Sequence, residues 1–223
     1  MIQAVIFDMD GVLVDSYAPH LESWRVLANE IGASITDEQF DHTFGRTSRD
    51  IIRMLFGATD DETVHAYDER KEALYRDLVR EAVPGMPGAV ELVGSLATAG
   101  LGLAVGTSGP RANVDLVCAA MGLDDLLKVR VTKEDVRRGK PDPEIFLTAA
   151  AKLGVAPACC VVIEDAPAGI QAARSGGMRC IAMTSTHESG ALSEADAVVD
   201  SLADAGAVIA RWRDGSPGSQ VVD

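Results

Sequence analysis

Residues 2–7 are nearly all apolar and run straight into two acids, Asp8 and Asp10, followed by Gly11. The run predicts a buried strand whose end carries paired carboxylates. Unpaired charge is costly to bury, and neighbouring carboxylates resist ionising together. A cation between them resolves the conflict. Strand ends are also where open α/β sheets bind their ligands. Residues 5–16 therefore set the frame for the rest of the chain.

Beyond this stretch the pattern turns helical. Asp15 and Ser16 are expected to cap a helix over residues 20–31, where Leu21, Trp24, Leu27, Ala28 and Ile31 recur with helical period and Gly32 follows. A short helix is expected at 36–42 and another at 48–56, with Ile51, Ile52, Leu55 and Phe56 on one face. A long charged helix is expected at 60–81, with Val64, Tyr67, Ala73, Leu74 and Leu78 as its apolar stripe. No strand is expected in this segment. Residues 83–88 are rich in Pro and Gly and read as a linker.

Strands and helices then alternate. Helices are expected at 89–99, 111–121, 142–153, 166–175 and 202–211, and strands at 101–105, 128–132, 159–163, 179–183 and 196–199. Asp142 is the expected cap of its helix, with Pro143 in the first helical position. Residues 215–223 read as a frayed tail. Such alternation implies a parallel sheet with helices on both faces. The expected fold is α/β, a doubly wound parallel-sheet, Rossmann-like core at residues 1–15 and 84–223, with an all-helical cap domain inserted at 16–83.

The formal charge of −14 over 223 residues argues against nucleic acid as a partner, which needs a basic surface. Four cysteines, Cys118, Cys159, Cys160 and Cys180, lack metal-type spacing and read as free, buried thiols. The sequence opens on a strand without a basic leader, and no apolar run approaches the ~20 residues of a spanning helix. A soluble cytoplasmic protein, monomeric or a small homo-oligomer without a membrane partner, is the expectation.

Chemistry-bearing residues gather where predicted strands stop: Asp8 and Asp10; Thr107 and Ser108 between Gly106 and Gly109; Lys140 before Pro141 and Asp142; and Glu164 with Asp165. In a parallel sheet these ends share one edge. Carboxylates suit Mg2+, a hard ion that binds oxygen and accompanies phosphate. Gly-loosened turns offer N–H groups to anions, and lysine offers phosphate a point charge. A carboxylate can also act as nucleophile, with a second as acid and base.

In these four motifs, in this order along the chain, the sequence resembles the haloacid dehalogenase-like superfamily, and within it the β-phosphoglucomutase-like phosphatases. The run from Glu164 to Ile170 is especially specific. The resemblance implies that Asp8 is nucleophile and metal ligand, and that Asp10 is the acid/base and offers its backbone carbonyl to Mg2+. It implies that Asp165 completes the metal site with Glu164 beside it. Thr107 and the Ser108 N–H would hold phosphoryl oxygens, and Lys140 would neutralise charge. In the cap, His20, Arg49 and Lys71 match positions that meet the far part of the substrate in the sugar phosphomutases. Retention of an acid at Asp10 points to an alkoxide leaving group, hence a phosphate ester.

Each residue has a plainer reading. Asp165 could cap a helix, Thr107 and Ser108 could form an ordinary turn, and Lys140 could be a surface lysine. Arg49 and Lys71 could lie on solvated helix faces, and His20 at a surface helix start. Trp24 and Phe56 read as cap core, and His187 and Glu188 as loop. The expected activity is a Mg2+-dependent phosphatase of a small phosphorylated metabolite, a sugar phosphate above all, working through an aspartyl-phosphate. The alternatives are a β-phosphoglucomutase-type mutase, disfavoured by the Ser108-Gly109-Pro110-Arg111 loop, and a non-catalytic binding protein.

Overall fold

A computed structural model describes residues 1–43, 47–58 and 60–214. The expected tail at 215–223 lies outside them. Among the described residues the order is β1 (Ala4–Phe7), α1 (Tyr17–Glu30), α2 (Asp37–Asp41), α3 (Ser48–Phe56), α4 (Asp61–Val79), α5 (Ala89–Thr98), β2 (Gly102–Gly106), α6 (Arg111–Ala120) and β3 (Val129–Val131). The chain continues through α7 (Glu144–Leu153), β4 (Cys160–Glu164), α8 (Pro167–Ser175), β5 (Arg179–Met183), β6 (Ala197–Val199) and α9 (Leu202–Arg213). The chain divides into two compact units, one made of Met1–Asp15 and the chain from Gly85 onward, the other of Ser16–Pro84.

The first unit is built on a sheet of order β3-β2-β1-β4-β5-β6, with every pairing parallel. The strands read as apolar runs because both faces are covered. On one face Ala4, Ile6, Ala104, Cys160, Val162, Cys180 and Ala182 join Ile145, Phe146 and Ile170 of α7 and α8 in one buried cluster. The alternate residues, including Val5, Phe7, Val105, Val161, Ile163 and Ile181, are buried on the other face. There α5 and α9 pack on each other and against β2 and β6.

After β1 the chain makes a tight turn in which Leu13 N and Val14 N donate to Met9 O (2.9 and 3.0 Å). Val14 bridges Gly85, and Met86 N donates to Leu13 O (2.9 Å). The long helical insertion thus leaves and returns at one place, and the sheet order is undisturbed.

The second unit has its own core, in which Trp24, Leu27, Phe40, Ile51, Ile52 and Val64 are buried together and Phe56 packs against them. Its helices begin where capping chemistry sets them. Thr36 and Gln39 form a reciprocal capping box, and Asp60 accepts from Thr63 N (2.7 Å). Two local expectations need correction. The first helix starts at Tyr17 rather than residue 20, because Pro19 is tolerated in a first turn whose N–H groups lack intrahelical partners. Ser16 holds the N-cap position, but its side chain makes no capping bond and its Oγ is buried without a hydrogen-bond partner. In the first unit, α7 starts at Glu144, one position later than Pro143 suggests, although Asp142 Oδ1 does accept from Glu144 N (3.0 Å).

All four cysteines are free; three are buried, while Cys159 is only half-buried. Among the described residues, no helix is long and apolar enough to cross a membrane. Phe146 lies wholly buried against the sheet, its ring carbon 3.0 Å from where a Cβ on Gly106 would stand. Phe146→Ala is expected to cost about 3–5 kcal/mol of folding stability, read as a lowered urea midpoint by circular dichroism.

Candidate active site

The sheet register brings the first motifs together. Phe7 pairs with Val105 on one side and Ile163 on the other. Asp8, Thr107 and Glu164–Asp165 therefore emerge on one edge. Strand order turns at the β1–β4 boundary, the switch point where such sheets open a crevice.

The sequence reading also puts Lys140 at a strand end, and the structure corrects this. β3 stops at Val131, and Lys140 lies in the loop ahead of α7. From that loop its Nζ reaches Asp8 Oδ1 (3.0 Å) and Glu164 Oε1 (2.6 Å). It is no surface lysine: its side chain is 8% exposed, and Nζ lies 5.0 Å from the centre of the Phe146 ring. Glu164 is fully buried, and its Oε2 accepts from the N–H groups of Asp165 and Ala166 (2.7 and 2.9 Å). Room for this carboxylate depends on Gly169, where a Cβ would stand 1.8 Å from Glu164 Oε1.

Asp165 does not cap α8; Ala166 holds that position. Instead the Asp165 carboxylate presses on the turn after β1. Gly11 there has φ of 71°, and a Cβ on it would stand 2.0 Å from Asp165 Oδ2, so only glycine fits. On the other flank, Thr107 does form a turn, its Oγ1 accepting from Gly109 N (3.1 Å). That turn lies beside the first motif, because a Cβ on Gly109 would stand 3.5 Å from Thr107 Oγ1 and 4.0 Å from Asp10 Oδ2. Ser108 follows in the same turn, half-buried.

Charge is out of balance here. Burial, with Glu164 and Asp10 close by, outweighs Lys140 and pushes Asp8 up to about 7. Burial, Glu164 and Asp8 raise Asp165 well above the ordinary carboxylate range. Burial alone would discharge Lys140, but Asp8 and Glu164 overcome it and hold the ammonium above its usual range. Oxygens of Asp8, Glu164 and Asp165 lie within 4.8 Å of one another, all on buried residues. Asp8 Oδ1 is buried and, though ion-paired, has no well-aligned hydrogen bond. Hard oxygen donors in excess of positive charge fit a divalent cation such as Mg2+.

Three further residues at this site carried no signal in the sequence. In the turn after β5, Thr186 Oγ1 donates to Asp165 Oδ2, Ser185 Oγ donates to Gly11 O (2.6 Å), and His187 Nδ1 lies 3.1 Å from Asp165 O. Only the run Thr-Ser-Thr-His just past a strand hints at them.

The predicted His20, Arg49 and Lys71 belong to the helical unit, which brings His20 and Lys71 together. Lys71 is buried rather than solvated, its Nζ 2.8 Å from His20 Nδ1 and 3.0 Å from Glu72 Oε1. Because lysine only donates, His20 Nδ1 accepts and the ring proton sits on Nε2. His20 stacks on Tyr75 with centroids 4.1 Å apart. Arg49 is more than half exposed, its Nε 3.5 Å from Oδ2 of the buried Asp68.

Comparison with known proteins agrees with this geometry. Residues 2–177 match the family described as haloacid dehalogenase-like hydrolase. The chain is 36% identical over 210 residues to validoxylamine A 7'-phosphate phosphatase of Streptomyces hygroscopicus subsp. limoneus, covering 91% of this chain and 95% of that protein. It is 33% identical over 199 residues to hexitol phosphatase A of Escherichia coli K12, covering 88% and 90%. A crystal structure of β-phosphoglucomutase from Clostridium difficile superposes with a TM-score of 0.85 at 27% identity, covering 96% of this chain and 99% of the other.

Two outcomes are expected. Since Asp8 ionises near 7 in the folded chain against an ordinary 3.8, the stability it gives is full in acid. It is lost as pH rises through about 7. Millimolar MgCl2 is therefore expected to raise the melting temperature more at about pH 8 than at about pH 5; equal increments would contradict the site. Thr186→Val is expected to weaken Mg2+ binding by ~10–100-fold, with Thr186→Ser retaining most of it, both measured by calorimetric titration.

Proposed function

Given that this chain belongs to the haloacid dehalogenase-like hydrolases, we propose that it is a Mg2+-dependent phosphatase of small phosphate monoesters, sugar phosphates in particular. The observation that carries the reading is the buried Asp8–Lys140–Glu164 ion cluster with Asp165 alongside, which has surplus carboxylate oxygens at a strand edge. The named activities of the two relatives, both phosphatases, support it.

In this reading an Asp8 carboxylate oxygen attacks phosphorus and the bond to the ester oxygen breaks. Asp10 gives its proton to the departing alkoxide. The product on the enzyme is an aspartyl-phosphate. Asp10, now a carboxylate, takes a proton from water as that water attacks phosphorus; phosphate leaves and Asp8 is restored. Thr107 Oγ1 and Ser108 N–H hold the phosphoryl oxygens in place, and the Lys140 ammonium offsets their charge together with that of Asp8. Mg2+, held by Asp8, Asp165 and the Asp10 carbonyl with Glu164 beside them, would supply further positive charge to the phosphoryl group. Asp10 is the residue whose chemistry demands an alcohol leaving group. The helical unit takes the part of a cap that excludes water and selects the substrate, with His20, Arg49 and Lys71 assigned to the substrate's far end. The protein needs no nucleic-acid or membrane partner for this work.

The likeness to β-phosphoglucomutase supports one second reading, intramolecular phosphoryl exchange on a sugar phosphate. Incubation with β-glucose 1-phosphate, a bisphosphate primer and MgCl2, within a wider panel of phosphate esters, separates the two. Release of inorganic phosphate is expected; a 6-phosphate product without it would establish the mutase. Asp8→Asn is expected to abolish turnover, a drop of at least ~1000-fold. Clear residual turnover in that variant would remove Asp8 from its role.

A further inference from the structure

The turn after β5 is tied down at its start. Thr184 N donates to Val199 O (3.1 Å) and Thr184 Oγ1 to Asp200 Oδ1 (2.6 Å), which fixes it to the end of β6. From there it reaches two turns of the site at once. Ser185 Oγ donates to Gly11 O (2.6 Å), the residue after Asp10. Thr186 Oγ1 donates to Asp165 Oδ2. A backbone carbonyl only accepts, so His187 Nδ1, 3.1 Å from Asp165 O, carries the ring proton; it lies 2.9 Å from Thr186 Oγ1 as well. The Thr186 hydroxyl thus accepts from His187 and turns its own proton to Asp165. Oδ2 is boxed in from the other side too, since a Cβ on Gly11 would stand only 2.0 Å from it. One oxygen of the buried Asp165 is committed to the protein, and the Gly11 and Asp165 turns are strapped together.

We infer that Ser185 and Thr186 make the site selective for Mg2+ over Ca2+, by leaving Asp165 one oxygen for an ion and by fixing the gap between the Gly11 and Asp165 turns. The inference rests on the phosphatase reading, which gives the ion to Asp8, Asp165 and the Asp10 carbonyl. Mg2+ binds oxygen at about 2.0–2.1 Å in near-octahedral geometry, whereas Ca2+ binds at about 2.3–2.6 Å, takes more ligands and often uses both oxygens of a carboxylate. The larger ion therefore asks for two changes that this turn resists. Bringing Oδ2 to the ion would break the Thr186 bond and lift the carboxylate off Gly11. Widening the gap would break the bond from Ser185 to Gly11 O. A fixed, one-oxygen ligand suits Mg2+ and penalises Ca2+, so the selectivity comes from what the wrong ion would have to disrupt. Ser185 and Thr186 are positioning residues, acting through Gly11 and Asp165.

The test titrates the full chain calorimetrically with MgCl2 and, separately, with CaCl2 at one pH, and compares the two dissociation constants. The wild type is expected to bind Mg2+ more tightly than Ca2+. Thr186→Val, which keeps the shape and removes the hydroxyl, is expected to cut that preference ~10-fold, because Mg2+ affinity falls while Ca2+ affinity is largely kept. Thr186→Ser is expected to restore it. Ser185→Ala is expected to act in the same direction as Thr186→Val, so it decides the matter if Thr186→Val does not fold. A merely structural role would lower the melting temperature and weaken both ions alike. A wild type that prefers Ca2+, or an unmoved ratio in a folded variant, would overturn the inference while leaving the phosphatase reading intact. Binding of neither ion to the wild type would instead defeat the metal-dependent reading itself.

Discussion

The Lys140 ammonium stands between Asp8 and Glu164, and the site is arranged around that contact. Without it, buried carboxylates from two adjacent strands would face one another uncompensated, a severe desolvation cost. Each neighbour serves it. Glu164 is fixed by two backbone N–H groups and admitted by Gly169; Lys140 is lodged over Phe146. Burial drives Asp8 and Asp165 upward, and the neighbouring carboxylates add to it, because one ammonium cannot balance them all. A site short of positive charge is prepared for a cation and for the anion that travels with it.

The helical unit buries ion pairs of its own: Asp68 faces Arg49, and Glu72 faces Lys71. Buried ion pairs of this kind add little to stability, because desolvation consumes most of the attraction. Their value lies in fixing where hydrogen-bonding groups stand.

Much of this was legible along the chain. Every expected strand forms, including the short Val129–Val131, because a parallel sheet covered on both faces needs continuous apolar runs. Asp8, Thr107 and Asp165 were legible as a set, since each follows such a run directly. Lys140 was legible as a residue but not as a position: no pattern in the sequence tells how far a loop will carry a side chain. Ser185, Thr186 and His187 left only a polar run past a strand, because polar residues in a turn have no period to read. Glu72 and Asp68 were hidden for the opposite reason. They sit in a helix so rich in charge that a solvated face is the natural expectation, and only packing reveals that they are buried.

The sequence by itself determined the order of strands and helices and the family. These follow from local rules: apolar period, glycine and proline punctuation, and motif spacing. Tertiary structure alone decided which charges meet. Coulomb energy depends on separation and burial, and residues such as Lys71 and His20, or Lys140 and Glu164, are close only because the chain folds them together.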